Sequence, residues 1–222
     1  MNTTQGYLLV VEDVSDILIL LNETLKFKGH RVVTARNGLE ALEAIEKERP
    51  ALIITDILMP KMDGFSLVHR LRLDPETRNI PVIFLSATYV APEDKAFAAL
   101  VGVSRFLEKP IDIDQLMGTI SELLAEEVPA SPEPLKEFEF YDGYSKRLKM
   151  KLDQKVKQIT RIERLLTTIS EEEKPAFQHS LHTAINERNE IRLHYDEVNA
   201  RIEEASARSK EQKLNADTEN KL

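Results

Sequence analysis

The chain has 222 residues, of which 42% are hydrophobic, which is enough for one full core and a smaller second unit. It contains no cysteine, so disulfides, thiolate metal sites and cysteine nucleophiles are excluded. The net charge of −8 belongs to residues 1–134, which carry 13 Lys and Arg against 21 Asp and Glu, whereas residues 135–222 carry 17 of each and show no basic excess for nucleic acid.

Short apolar runs alternate with helical patterns over the first 125 residues. Alternation of this kind predicts a parallel sheet covered by helices on both faces, because parallel strands need crossover connections. The predicted strands are 7–11, 31–35, 51–55, 81–85 and 105–107. The predicted helices are 16–28, 39–48, 66–71, 93–100 and 113–125.

The pattern changes after residue 126. Pro129, Pro132 and Pro134 predict a short, stiff linker at 127–135. Beyond it, apolar residues recur at alternating spacings of three and four, from 138 to 169 and again from 177 to 205. Ser170, followed by three glutamates, predicts the start of the second helix. We therefore expect an α/β domain at 1–126, an antiparallel coiled-coil hairpin at 136–210 and a disordered tail at 211–222.

The two predicted long helices carry opposite charge. Residues 144–165 hold eight basic and two acidic side chains, and residues 171–206 hold four basic and nine acidic ones. The basic run could belong to a DNA-binding or membrane-binding helix. We favour the alternative in which it is a solvated face answered by the acidic helix, so that charge helps to pair the two.

Polar residues follow four of the predicted strands. Glu12-Asp13 follows the first, Asp56 the third, Ser86 the fourth and Lys109 the fifth. The carboxyl ends of parallel strands meet at one edge of a sheet, so these side chains should converge in a crevice. Carboxylates gathered there repel one another and need a cation, for which Mg²⁺ is the natural choice. A lysine and a hydroxyl nearby can hold a tetrahedral anion.

This set resembles the receiver domain of two-component response regulators over about 120 residues. Five segments agree with that family in order and spacing. Asp63-Gly64, at the end of the segment 56–64, is most simply interpreted as a turn. The matching segments are Glu12-Asp13, residues 56–64 (Asp-Ile-Leu-Met-Pro-Lys-Met-Asp-Gly), Ser86-Ala87, Phe106 and Lys109-Pro110.

The resemblance implies a flavodoxin-like, doubly wound sheet of strand order 2-1-3-4-5 and a set of site residues. Asp56 would accept a phosphoryl group from a phosphohistidine or a small donor. Glu12 and Asp13 would hold Mg²⁺ together with Asp56 and the backbone carbonyl of Leu58. Lys109 and Ser86 would contact the phosphoryl oxygens, and Phe106 would be an aromatic switch that turns inward when Ser86 moves.

Two positions affect how long a phosphoryl group would last. Leu58 and Thr88 lie two residues beyond Asp56 and Ser86. In the resembled family, side chains at these places influence how water reaches the acyl phosphate. Because the apolar Leu58 cannot orient a water, we predict slow self-dephosphorylation.

The sequence thus predicts a phosphorelay response regulator that signals through protein–protein interaction or dimerisation of the hairpin. A histidine kinase or phosphotransfer protein would be its phosphoryl donor. The alternative is a DNA-binding transcriptional regulator, although no helix-turn-helix pattern follows the linker. We expect no separate output enzyme. The absence of a signal peptide and of any apolar run near 18 residues favours the cytoplasm.

Overall fold

The computed structural model describes residues 6–87, 91–125 and 132–219. The chain forms two compact units, Met1–Leu135 and Lys136–Leu222. In the first unit the strands are β1 (Leu8–Val11), β2 (Val32–Ala35), β3 (Leu52–Asp56), β4 (Val82–Ser86) and β5 (Arg105–Glu108). Its helices are α1 (Ser15–Phe27), α2 (Gly38–Lys47), α3 (Gly64–Leu73), α4 (Pro92–Val101) and α5 (Ile113–Ala125).

The five strands form one parallel sheet of order β2-β1-β3-β4-β5, which confirms the predicted order. The three central strands, β1, β3 and β4, are buried almost along their whole length, as expected for strands with helices on both faces. The register places Asp56 beside Leu85 and Ser86 beside Glu108. The polar residues predicted at strand ends therefore lie along one edge of the sheet.

Side-chain caps fix the two helices that follow β2 and β3. The Asn37 side chain accepts hydrogen bonds from two backbone N–H groups in the first turn of α2, and the Asp63 side chain accepts one from Ser66 in α3. Since Asp63 begins the helix after β3, the chain turns sharply just beyond Asp56.

Away from the carboxyl edge of the sheet, the buried Arg72 of α3 bonds to the C-terminal end of α4 and to Ile80, which precedes β4. Arg72 is 1% exposed, and its guanidinium donates to the carbonyl oxygens of Gly102 and Ile80. Gly102 ends α4 with φ 99°, and a Cβ there would lie 2.7 Å from Arg72 Nε. Burial lowers the pKa of Arg72 to about 10.

The second unit consists of α6 (Glu137–Leu166) and α7 (Lys174–Glu219), which pack as the predicted hairpin. Ser145 bonds to Asn199 at 2.8 Å and Lys155 to Glu187 at 2.5 Å, so the helices run antiparallel. Among the described side chains of α7, the buried residues follow the predicted repeat except His194, which is buried where the repeat has Tyr195. At the start of α6 the pattern is shifted, with Phe138 51% exposed. The buried positions of the two helices are Phe140, Tyr144, Leu148, Lys151, Ile159, Ile162, Ala184, Ile191, His194, Val198 and Ala205.

Two predictions about this unit differ from the structure. Helix α7 begins at Lys174, because Ser170 and Glu173 bond to each other and close a turn before it. The helix continues to Glu219, through most of the tail that was expected to be disordered.

Residues 127–131 of the linker predicted at 127–135 lie outside the described residues, as does Thr88 of the first unit.

An ion pair supports the prediction that charge helps to pair α6 with α7. Lys155 and Glu187 form an ion pair between the helices. Other ion pairs of this unit, such as Lys146 with Asp142 and Arg192 with Asp196, join residues of one helix. Apolar burial along the seam therefore holds the hairpin together, and many charged side chains are left on its outer faces. Among the described residues, no helix is both long and apolar enough to cross a membrane.

Candidate functional site

The ammonium group of Lys109 joins two carboxylates at the carboxyl edge of the sheet. Its Nζ lies 2.5 Å from Asp56 Oδ1 and 2.8 Å from Glu12 Oε2. These three residues come from the ends of β1, β3 and β5, as predicted. Because both carboxylates contact one nitrogen atom, their oxygens lie close together and share its positive charge.

The three side chains differ in how far solvent reaches them. The Glu12 side chain is 1% exposed, while the side chains of Asp56 and Lys109 are 14% and 17% exposed. A molecule arriving from solution can reach Asp56 and Lys109, whereas Glu12 lies behind them. Asp56 thus combines access from solution with direct contact to a cation.

The local backbone holds Asp56 and Lys109 in place. Asp56 Oδ2 accepts a hydrogen bond of 2.9 Å from the N–H of Leu58, so both carboxylate oxygens have donors. The backbone N–H of Lys109 donates to the carbonyl of Ser86 at 2.9 Å, which ties the end of β5 to the end of β4. The Lys109-Pro110 peptide is cis.

Burial works against the charged forms of the carboxyl groups. Desolvation raises the pKa of Asp56, with a further contribution from nearby Asp13, while Lys109 acts in the opposite direction. Desolvation and the charge of Asp56 likewise raise the pKa of Glu12. The neighbouring carboxylates raise the pKa of Lys109, even though its own burial opposes this. The crevice therefore has an excess of negative charge, which favours an added cation.

The predicted metal ligands are only partly assembled around a common point. Within the described parts of the chain, no group of three Asp, Glu, His or Cys side chains is arranged to hold a metal ion. Lys109 Nζ contacts both Glu12 and Asp56 and is their shared cation. Asp13 lies close enough to affect the pKa of Asp56, so the donor set of hard oxygens is at hand.

Sequence reasoning missed the part that Gly64 plays. Treated there as half of a simple turn, Gly64 in fact packs against the backbone of Asp56. A Cβ at Gly64 would lie 2.4 Å from the Asp56 carbonyl oxygen, and the Gly64 N–H donates to the Ile57 carbonyl at 2.8 Å. Glycine is needed here for close approach, and its place eight residues after Asp56 was the available signal.

The two predicted switch residues lie on the neighbouring strands β4 and β5, where Phe106 is paired with Phe84 and Ser86 with Glu108. Ser86 is buried at the end of β4, and Phe106 of β5 is half-buried. The ring of Phe106 contacts that of Phe84 edge-on, with centroids 6.5 Å apart. Lys95 of α4 places its Nζ 5.7 Å from the Phe106 ring centroid and also bonds to Glu108 at 2.6 Å. This lysine was not singled out in the sequence.

The fold agrees with that of similar proteins. The family model of the response regulator receiver domain matches residues 8–121. The chain belongs to this family. Its receiver domain is 36% identical over 120 residues to the sporulation initiation phosphotransferase F of Bacillus subtilis, a match that covers 53% of this chain and 92% of that protein.

Two further relatives show how far the likeness extends. The transcriptional regulatory protein GlrR of Escherichia coli is 36% identical over 138 residues, which is 62% of this chain but 30% of that longer protein. The solved structure of the chemotaxis response regulator CheY4 of Vibrio cholerae is 34% identical, with a TM-score of 0.51. It covers 55% of this chain and all of its own. The likeness to CheY4 is thus a likeness to the receiver domain.

Proposed function

We propose that the chain is a phosphorelay response regulator in which Asp56 accepts the phosphoryl group. One observation carries the proposal: Asp56 is the carboxylate that solvent reaches and that also contacts the Lys109 ammonium, at 2.5 Å. An oxygen of Asp56 would attack phosphorus, and the phosphorus–nitrogen bond of a donor phosphohistidine would break with its electron pair on the imidazole. A histidine kinase or phosphotransfer protein is the expected donor.

The chain's own residues meet the main difficulty of this reaction, which is bringing an anion to a carboxylate. Lys109 offers an ammonium that can pass from Asp56 to the incoming phosphoryl oxygens. The Leu58 N–H orients the second carboxylate oxygen. Ser86, at the end of the neighbouring strand, would bond to a phosphoryl oxygen, and Phe106 behind it would move inward.

The acidic crevice fits Mg²⁺, because its oxygens already share one cation and desolvation leaves them short of positive charge. Glu12, Asp13, Asp56 and the Leu58 carbonyl would hold the ion. When bound, Mg²⁺ supplies neutralisation of the negative charge that Asp56 and the phosphoryl group bring together.

The hairpin is the proposed output. Its exposed apolar residues, Met150, Val156 and Leu193, suit protein–protein contact. The described residues after the linker form two long helices and show no helix-turn-helix of the kind that reads DNA. We place the protein in the cytoplasm, where such relays receive phosphoryl groups from kinases.

The test is phosphorylation of the full chain by acetyl phosphate and Mg²⁺, read by intact mass. We expect one added phosphoryl group in the wild type and in Asp114→Asn, an exposed carboxylate of α5, and none in Asp56→Asn. Equal labelling of Asp56→Asn would refute the proposed acceptor. A gel shift with DNA at physiological salt, dependent on phosphorylation, would favour a transcriptional output over protein–protein contact.

A further inference from the structure

Helix α6 has a basic face turned away from α7. Lys157, Arg161 and Arg164 lie on it, one or two turns apart, and all three are exposed. In the part of the chain that the structure describes, none of the three side chains takes part in an ion pair. The face also carries Val156, which is 50% exposed, and a shallow groove of about 570 Å³ runs along it. We call these three cationic residues and Val156 the basic face.

Helix α7 has an acidic face of matching form. Glu190, Glu197 and Glu204 recur every seven residues and are exposed, roughly 100° around the helix from the seam formed by Ala184, Ile191 and Val198. Leu193, 60% exposed, lies between them on the same stripe. Glu197 lies 3.9 Å from His194 and Glu204 lies 3.5 Å from Arg201, each pair three residues apart on α7. We call the three glutamates and Leu193 the acidic face.

We propose that copies of this chain associate side by side, with the basic face of one hairpin against the acidic face of the next. The proposal specifies the partner in the protein–protein contact proposed above and rests on that output. Both faces belong to one chain whose residues 135–222 are balanced at 17 charges of each sign. Lys157 and Arg164 share the seven-residue spacing of the glutamates, so the charges can meet in register along about 10 Å per repeat.

The charges also limit the arrangement of the contact. If each face met its own copy, three cations or three glutamates would oppose one another. The contact therefore sets the basic face of one copy against the acidic face of another.

Sedimentation velocity of the full chain tests the proposal with three sets of substitutions. The first variant is K157E/R161E/R164E, the second is E190K/E197K/E204K, and the third combines all six. We expect wild-type association that increases with concentration and weakens from about 50 to about 500 mM salt. Each single-face variant should associate about tenfold more weakly, because like charges then face each other.

The decisive results come from recombining the faces. An equimolar mixture of the two single-face variants, and the six-fold variant alone, should both regain wild-type association. Failure of either to do so, with helical content unchanged by circular dichroism, overturns the proposal. So does a monomeric wild type at every concentration, or a basic face that is needed only for binding phosphatidylserine vesicles. Phosphorylation of Asp56, measured on the same samples, reports separately on the proposed function.

Discussion

Lys109 Nζ lies 2.5 Å from Asp56 Oδ1, although β4 separates the strands that carry these two residues. The Lys109 side chain therefore spans the crevice at the sheet edge, and its ammonium also contacts Glu12. In this state the proposed acceptor is already neutralised by the group that would receive the phosphoryl oxygens. For Asp56 to accept a phosphoryl group, the Lys109 ammonium would have to leave the Asp56 carboxylate and contact the phosphoryl oxygens instead.

Replacing Lys109 by glutamine should weaken both chemistry and stability. The substitution leaves two poorly hydrated carboxylates without their shared cation, so we expect a loss of about 2 kcal/mol in the free energy of unfolding at neutral pH. Labelling by acetyl phosphate should slow at least about tenfold. Urea unfolding and intact-mass kinetics measure the two effects, with the exposed Lys28→Gln as control. A variant as reactive as the wild type would exclude this part for Lys109.

The raised pKa values of Glu12 and Asp56 predict a pH dependence of stability. The folded chain keeps these protons at pH values where the unfolded chain has lost them. The free energy of unfolding should therefore fall as pH rises from about 4 through the raised pKa values. In Asp56→Asn this fall should be smaller, because one of the two groups no longer titrates.

Magnesium should reverse the same loss of stability. Since the carboxyl groups must be ionised to bind it, Mg²⁺ should raise the urea midpoint clearly at about pH 7.5 and little at about pH 5. Asp13→Asn should reduce the effect, and Asp114→Asn should leave it unchanged. Equal stabilisation at both pH values would mean that Mg²⁺ acts elsewhere on the chain.

Leu58 should make the phosphorylated state long-lived. Its side chain is half-buried beside Asp56 and has no polar atom with which to position a water molecule. Leu58→Asn should shorten the lifetime of phosphorylated Asp56 about tenfold or more. Decay after removal of the donor can be followed by intact mass, with Leu58→Met as the apolar control. Loss of the phosphoryl group within seconds in the wild type would contradict the prediction.

Lys95 should bias the proposed switch through its position over the Phe106 ring. If that contact holds the ring half-buried, Lys95→Gln makes inward movement easier and should tighten beryllofluoride binding about two- to fivefold. Calorimetric titration with beryllofluoride and Mg²⁺ measures the change. Lys28→Gln should bind as the wild type does, and unchanged binding by Lys95→Gln would separate Lys95 from the switch.

The sequence predicted elements and strand-end residues well because their causes are local. Apolar periodicity and the helix patterns sufficed for a parallel sheet and for the edge that carries Asp56 and Lys109, whereas the strand order followed from the resemblance to receiver domains. The bridging of Glu12 and Asp56 by Lys109 could not be predicted from the sequence. It depends on where side chains 97 and 53 residues apart in the sequence are placed. The close packing of Gly64 on Asp56 has the same origin.

The hairpin shows a different limit. Counting charges along α6 and α7 suggested that the two helices attract each other, but a count ignores which face each side chain occupies. Lys155 faces α7 and meets Glu187, whereas Lys157, two residues on, is exposed on the outside. Successive residues of a helix are rotated by about 100°, so basic residues close together in the sequence can lie on different faces of α6.

Arg72 anchors the C-terminal end of α4 and leaves its N-terminal end without that anchor. Its guanidinium holds the Gly102 carbonyl at the C-terminal end of α4, while the N-terminal end follows the segment after Ser86. Any movement of α4 would therefore be smallest at Gly102 and largest at Pro92, which lies nearer to Ser86 in the sequence.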